Sequence, residues 1–232
     1  MRFNRIFLLL LLSCLLFCSC EKASAIASDE KTDIIDTLTF LGDSTTAHML
    51  TRAPIKDKKQ VWVAKNRYLN LDPRITYAKI TQGEEGDELT IAEMARKIKP
   101  TRLVITLGVD YGVYYYRNDQ ATFAFYYEKL LNAIGEASPD TVLILQSIFP
   151  VAKSSTAITN QMIGNANQTI KSIAAKRGLI YIDANTPLSD EDGFLRAEYC
   201  SSADGIHLTS AAYRVIFDTL RQSAAQIKEA TA

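Results

Sequence analysis

From Thr37 onward, short apolar runs alternate with longer segments in which apolar residues recur every three or four positions. The apolar runs are bounded by turn residues, and they predict strands over 37–41, 61–64, 75–80, 102–107, 142–146 and 179–182. The last three runs are continuously apolar and rich in β-branched residues. Such composition is typical of strands that are covered on both faces, as in a parallel sheet.

The segments with helical spacing predict helices over 88–98, 121–137, 158–177 and 209–228. Alternation of strands and helices predicts an α/β fold, a three-layer α/β/α sandwich with a parallel, flavodoxin-like sheet. No repeat or linker divides residues 37–232, so we expect them to form one domain. In such a sheet, functional residues collect in loops just past the carboxyl ends of the strands.

The chain begins with a segment that is unlike the rest. Arg2 and Arg5 precede an apolar run over 6–17 that is short for a membrane span. This combination predicts an export signal over residues 1–19. The small and polar residues 20–36 that follow offer little to bury, and we expect them to form a flexible tether.

Cysteines at the end of this segment make it resemble a bacterial lipoprotein signal. In that pattern the signal is cut before a cysteine that then carries the lipid, and Cys20, after Ser19, fits best. Cys14 is a second candidate, and a plain secretory signal is the alternative. The resemblance implies an exported lipoprotein, at the cell surface or facing the periplasm, held on a bacterial membrane only by its N-terminal lipid anchor.

Charge and cysteine content restrict the function of the remaining chain. There are 26 Lys and Arg against 26 Asp and Glu, and no basic cluster follows residue 21. Nucleic acid is therefore not expected as a partner. Cys200 is the one cysteine in the predicted domain, so no disulfide can form within it. No spacing of ligand residues points to a metal site.

Three residues have the types that nucleophilic catalysis needs. Ser44 follows the first predicted strand at the start of a helix, where its backbone N–H can also help to bind an oxyanion. His207 lies three residues after Asp204, in a loop that opens the last helix. A serine needs a base to take its proton, and the base needs a group that fixes its tautomer. The sequence offers all three.

These residues resemble the motifs of the SGNH hydrolases, also called the GDSL family of esterases and lipases. Phe40-Leu41-Gly42-Asp43-Ser44 matches the first block of that family, and Asp204-Gly205-Ile206-His207 matches the last. The resemblance covers about residues 37–220. It implies that Ser44 is the nucleophile, His207 the general base and acid, and Asp204 its orienter, with no cofactor.

The middle motifs match less well. The family has a glycine oxyanion donor after its second strand, for which Gly86 is favoured here and Gly83 is the alternative. Where the family has an oxyanion-binding asparagine, this chain has Asp110, which completes the expected oxyanion set of Ser44, Gly86 and Asp110. Asp110 could be protonated and donate, point away from the site, or mark a protein that binds its ligand without hydrolysing it.

Several other residues near the expected site have two interpretations. His48 is favoured as a helix-surface residue over a residue at the pocket mouth. The tyrosine run Tyr111, Tyr114, Tyr115 and Tyr116 could stack on sugar rings or cover the sheet edge. Trp62 is expected in the core, and Cys200 is expected to be a half-buried thiol.

Together these features predict a serine esterase that cleaves small acyl esters. The family resemblance and the expected surface location favour O-acetyl groups on a carbohydrate, so the partner would be a small-molecule or glycan ester. A glycan-binding lipoprotein with little or no activity is the alternative from another class. Acyl transfer to a sugar acceptor would use the same triad.

Overall fold

The folded part of the chain begins earlier than the expected boundary at Thr37. The computed structural model describes residues 32–230, so the export signal and Cys20 lie outside the described residues. A compact unit starts at Ile34. Ile34–Thr37 form a 3-10 helix in which Ile34 and Ile35 are buried. The end of the expected tether therefore packs into the domain.

A single seven-stranded sheet forms the centre of the domain, in the order β4-β3-β2-β1-β5-β6-β7. Its strands are β1 Thr39–Gly42, β2 Val61–Val63, β3 Lys79–Gln82, β4 Leu89–Thr90, β5 Arg102–Thr106, β6 Val142–Gln146 and β7 Ile180–Ile182. The five strands β2, β1, β5, β6 and β7 are parallel. They follow the flavodoxin-like order 2-1-3-4-5, which confirms the expected topology.

The two remaining strands differ from the prediction. Both β3 and β4 pair antiparallel, so the sheet is mostly and not wholly parallel. The expected strand over 75–80 begins instead as a 3-10 helix, Ile75–Tyr77, after a turn in which the Asp72 side chain accepts from the Arg74 backbone N–H. A parallel neighbour needs a long crossover, usually a helix. No α-helix connects β2 and β3 in the described chain, and the strand returns antiparallel.

Helices cover the sheet on both sides. They are α1 Ser44–Ala47, α2 Met49–Arg52, α3 Ile91–Ile98, α4 Gly112–Tyr115, α5 Gln120–Ala137, α6 Asn160–Arg177, α7 Ser210–Gln222 and α8 Ala224–Glu229. The first predicted helix starts later than expected because Thr90 and Glu93 form a capping box. The last is divided in two at Ser223. No helix within residues 32–230 is long and apolar enough to cross a membrane.

Successive residues of a strand pack into two separate hydrophobic cores, one on each face of the sheet. On β5, Leu103 and Ile105 face the core under α3, α5 and α6, whereas Val104 faces the core under α7. Trp62 is fully buried in the first core, as expected. In the second, the rings of Phe40 and Phe217 stack at 5.7 Å. Two apolar layers on opposite faces of one sheet make the predicted three-layer sandwich.

Candidate active site

The site lies where the strand order reverses. Strands β1 and β5 are parallel neighbours, with Gly42 opposite Thr106, so the loops that follow them leave the same edge of the sheet side by side. Chain direction diverges at this point, because β1 leads towards β2 on one side and β5 leads towards β6 on the other. Such a crevice is the usual binding position in an open α/β sheet.

Asp43 joins the two loops. Its Oδ2 accepts from the backbone N–H groups of Gly108 and Val109, both at 2.9 Å, and its Oδ1 accepts from the N–H and hydroxyl of Thr45. The side chain is 2% exposed. Burial raises the pKa of Asp43, and these hydrogen bonds oppose the rise. Asp43 therefore fixes the position of its neighbour Ser44 relative to the loop after β5.

The structure brings Ser44, His207 and Asp204 together in the expected order. His207 Nε2 lies 3.4 Å from Ser44 Oγ, and His207 Nδ1 lies 3.1 Å from Asp204 Oδ2. The first distance is at the long end of hydrogen-bond reach, which is common in sites without substrate. Ser44 begins α1, and His207 precedes α7. Residues from the two ends of the domain thus meet above one sheet edge.

A tight turn holds Asp204 under the imidazole. Its Oδ1 accepts from the Ser202 hydroxyl and, at 2.9 Å, from the Ile206 N–H. Burial alone would raise the pKa of Asp204, but these hydrogen bonds and His207 hold it below its ordinary value. Gly205 makes the turn possible, since it has a φ of +77° and a Cβ there would lie 2.9 Å from the Ser155 nitrogen. The carboxylate stays ionised beside Nδ1.

Asp110 points directly at Ser44, so the interpretation in which it turns away is wrong. Its Oδ1 accepts from Ser44 Oγ at 2.5 Å, and its Oδ2 accepts from the Ser44 backbone N–H at 3.0 Å. The backbone N–H of Leu69 also approaches this carboxyl and lowers its pKa. Burial, and then the nearby Asp43, raise the pKa of Asp110 to about 7. The side chain occupies donors that an oxyanion would use.

Neither glycine considered from the sequence is placed at the serine. Gly86 lies in an exposed turn after β3, and the Gly83 N–H donates to the Val61 carbonyl at 2.8 Å. Because β3 runs antiparallel to β2, its carboxyl end lies at the sheet edge opposite Ser44. The N–H of Leu69, in the loop after β2, reaches the site instead. A backbone donor carries no side-chain signal, and only its position after β2 could have indicated it.

His48 is not the helix-surface residue that the sequence favoured. It is half-buried, and its ring packs edge-on against His207 with centroids 4.5 Å apart. Burial, His207 and Arg52 lower the pKa of His48 to about 4, so it is neutral at pH 7. An uncharged ring can support His207 without repelling the imidazolium that forms when His207 accepts a proton.

Arg52 is a further residue that the sequence did not indicate. Its Nη1 donates to the Ser201 hydroxyl at 2.7 Å and to the Leu208 carbonyl at 2.8 Å. Ser201 in turn donates through its hydroxyl and its N–H to the His207 carbonyl, at 3.0 and 2.8 Å. The guanidinium therefore ties α2 to the segment that carries the histidine. The sequence gives no local indication of this role, because the residues that Arg52 contacts are 149 and 156 positions away in the chain.

The tyrosine run divides between the two expected roles. Tyr111 and Tyr115 stack with centroids 3.9 Å apart, and Tyr115 is 59% exposed. Tyr114 is also exposed, whereas Tyr116 packs against the core. Part of the run thus covers the sheet edge and part presents aromatic surface to solvent. Cys200 is a half-buried free thiol, as expected.

This geometry is suited to acyl transfer through a serine. The hydroxyl, an imidazole and a carboxylate lie in series, and the Ser44 N–H beside the hydroxyl donates to Asp110, which the Leu69 N–H also approaches. Within the described residues, no three His, Cys, Asp or Glu side chains are grouped to hold a metal ion. The chemistry available from these side chains is proton transfer and nucleophilic attack.

Known proteins share this architecture. An acylhydrolase-like protein from Bacteroides fragilis is 16% identical with a TM-score of 0.58, over 85% of this chain and 88% of that one. A GDSL-like lipase from Bacteroides thetaiotaomicron is 15% identical with a TM-score of 0.56, over 88% and 97%. A carbohydrate esterase family 3 protein from Talaromyces cellulolyticus is 14% identical with a TM-score of 0.50, over 83% and 98%. At these identities the similarity establishes the fold.

The sequence itself also matches a family model. No curated protein sequence matches the chain. The model described as the GDSL-like lipase/acylhydrolase family, however, matches residues 40–215. This range contains Ser44, Asp110, Asp204 and His207. The chain therefore belongs to the GDSL-like lipase/acylhydrolase family.

Proposed function

We propose that this protein is a serine esterase that removes small acyl groups, of which O-acetyl groups on a carbohydrate are the foremost candidates. The observation that carries the proposal is the arrangement of three side chains in series. Ser44 Oγ lies 3.4 Å from His207 Nε2, and His207 Nδ1 lies 3.1 Å from Asp204 Oδ2. Membership of an acylhydrolase family supports the reaction type.

In the proposed mechanism, Ser44 Oγ attacks the ester carbonyl while His207 Nε2 takes its proton. Asp204 holds the imidazole with Nε2 free to act and stabilises the imidazolium. The N–H groups of Ser44 and Leu69 receive the oxyanion once Asp110 has yielded its place. His207 then gives its proton to the leaving alcohol, and a water activated by His207 releases the acyl group from Ser44.

A carbohydrate ester suits the surroundings of the serine. Exposed faces of Tyr114 and Tyr115 follow the loop that carries Asp110, and aromatic faces provide apolar contact for sugar rings. The carbohydrate esterase from Talaromyces cellulolyticus, which shares the fold, supports this substrate class. The chain has 26 basic and 26 acidic residues, and its net charge of zero is compatible with an uncharged substrate.

Hydrolysis of p-nitrophenyl acetate and of acetylated xylan tests the proposal. The wild type should release p-nitrophenol and acetate, and Ser44→Ala should reduce both rates to the uncatalysed background. Ser172→Ala is the matched control, because Ser172 is an exposed serine on α6 whose hydroxyl bonds only to its own helix. Equal rates for wild type and Ser44→Ala would refute the esterase.

One observation favours a second candidate function. Because Asp110 occupies the Ser44 N–H and hydroxyl, the same scaffold could bind a glycan without cleaving it. A glycan-binding protein would retain affinity for oligosaccharides while showing no Ser44-dependent hydrolysis at any pH. Acyl transfer to a sugar acceptor is distinguished by its product, an acylated oligosaccharide in place of free acetate.

We also propose that the protein is exported and anchored through a lipid on Cys20. The support is the lipoprotein-like pattern of the first residues. Expression in bacteria with a radiolabelled fatty acid should label the wild type and Cys14→Ser but not Cys20→Ser. Label that persists in Cys20→Ser and is lost in Cys14→Ser would move the anchor to Cys14.

A further inference from the structure

An open cleft of about 460 Å³ lies beside the loop after β2. Two tyrosines line it, Tyr68 at 62% exposure and Tyr77 at 74%. Single exposed aromatic residues are ordinary on a protein surface, but two lining one concavity form an apolar surface that water does not solvate well. The volume lies within the range of about 300–1,000 Å³ that is usual for ligand pockets.

The cleft is formed by the same loop that contributes Leu69 to the proposed catalytic centre. Tyr68 and Leu69 share the peptide whose N–H approaches Asp110, so Tyr68 is one residue from an oxyanion donor. The next residues of the same loop pack against the segment after β5, where a Cβ on Gly112 would lie 3.0 Å from the Leu71 side chain. The loop that lines the cleft therefore packs beside the segment that carries Asp110, and we infer that a ligand with its ester at Ser44 extends towards the cleft.

The polar groups of the cleft suit an uncharged ligand. Asp72 and Arg74 form an ion pair at 2.9 Å, in which the Asp72 side chain is buried and the Arg74 side chain is 80% exposed. Pairing removes the net charge, and the outer N–H groups of Arg74 can still donate. Asn70 adds an amide that can donate and accept. An acyl chain would need an enclosed apolar channel, whereas this cleft is open and has a polar rim.

We propose that the cleft formed by Tyr68, Asn70, Arg74 and Tyr77 binds a sugar ring of the glycan that carries the ester. The tyrosine faces contact the apolar face of the ring, and the amide and guanidinium bond to its hydroxyls. This inference rests on the proposed esterase function. It assigns the part of the substrate on the alcohol side of the scissile bond to the loop after β2.

The test compares a substrate that fills the cleft with one that does not. The kcat/KM values of wild type, Tyr68→Ala and Tyr77→Ala are measured on acetylated xylo-oligosaccharides and on p-nitrophenyl acetate. Each variant should lose about 3- to 10-fold more kcat/KM on the oligosaccharide than on the small ester. Phe125→Ala is the matched control, because Phe125 is 61% exposed on α5 and does not line the cleft.

A second measurement separates the cleft from the reaction. Binding of acetylated xylo-oligosaccharides and acetylated cello-oligosaccharides to Ser44→Ala is followed by calorimetry, with and without the two tyrosine substitutions. Weaker binding on removal of Tyr68 and Tyr77 supports the cleft even if no hydrolysis is found. The inference is overturned if neither oligosaccharide binds. It is also overturned if the affinity is the same with and without the two tyrosines. Equal losses of kcat/KM on both ester substrates also overturn it, since they would indicate disturbance of the serine.

Discussion

Replacement of Asp110 by asparagine should raise ester hydrolysis, and the gain should grow with pH. In the structure the Asp110 carboxyl lies 2.5 Å from Ser44 Oγ and 3.0 Å from the Ser44 N–H. An ionised carboxylate here repels the negative charge that develops on the substrate oxygen. A neutral carboxylic acid or an amide can instead donate a hydrogen bond to it.

The size of the effect follows from the titration of this group. With the pKa of Asp110 raised to about 7 by burial and by Asp43, about half of the molecules carry the neutral acid at pH 7. At pH 9 about 1% do, because each pH unit above the pKa reduces the neutral form about tenfold. Wild-type kcat/KM should therefore fall about 50-fold between pH 7 and pH 9. Loss of one oxyanion donor typically lowers the rate about 100- to 1,000-fold, and this factor is the upper limit for the rate of Asp110→Asn relative to the wild type at high pH.

The assay is kcat/KM on p-nitrophenyl acetate from pH 7 to pH 9, with the rate of Ser44→Ala subtracted at each pH as background. Asp110→Asn should give a nearly flat profile over this range, while the wild type declines. Asp140→Asn, in an exposed turn between α5 and β6, controls for the loss of one negative charge and should follow the wild type.

Parallel profiles for wild type and Asp110→Asn would refute this reasoning, because they would mean that the charge on Asp110 does not affect the transition state. A lower rate for Asp110→Asn at every pH would refute it in another way. It would show that the carboxylate itself is needed, for example as an acceptor for the Ser44 proton, and that the oxyanion role belongs to other groups.

Three further predictions concern stability and the position of His207. Asp43→Asn should lower the free energy of unfolding by about 3 kcal/mol in urea titrations, since an amide NH₂ would face N–H donors that now bond to a carboxylate; a change below about 1 kcal/mol would contradict this. Arg52→Met should lower kcat about tenfold with little change in KM, because it releases the Ser201 and Leu208 bonds that hold the histidine segment; Arg214→Met, exposed on α7, is the control. The pKa of Asp110 is higher in the folded than in the unfolded chain, so its stabilising contribution is complete below about pH 4 and is lost as the pH rises through about 7. Wild-type stability relative to Asp110→Asn should therefore fall by up to about 4 kcal/mol from pH 4 to pH 8, and a constant difference between the two would contradict the raised pKa.

The parallel part of the sheet could be predicted because each of its strands carries its own signal. Runs such as 103–105 and 142–145 are apolar at every position, and apolar residues on both sides of a strand indicate burial on both faces of the sheet. The direction of β3 was not predictable in this way. Pairing direction depends on the connection before the strand, and the segment after Pro73 has apolar spacing that suits a strand or a 3-10 helix.

The triad could be predicted because its members are side chains in short motifs at strand ends. Ser44 and the pair Asp204 and His207 are far apart in sequence, but topology places their loops at one edge of the sheet. Leu69 and Arg52 could not be found by the same means. Leu69 acts through its backbone, and Arg52 acts through contacts with distant loop atoms. Such contacts depend on packing that no local pattern records.

Asp110 links the two halves of the proposed mechanism through a single proton. Ser44 has one hydroxyl hydrogen and two acceptors, Asp110 at 2.5 Å and His207 at 3.4 Å. While Asp110 is ionised, it holds that hydrogen and the N–H groups of Ser44 and Leu69, so His207 cannot act as base and the oxyanion has no donors. Protonation or displacement of Asp110 frees both at once. Activation of the nucleophile and stabilisation of the oxyanion therefore depend on the same group, a dependence that an asparagine at position 110 would remove because an amide carries no ionisable proton.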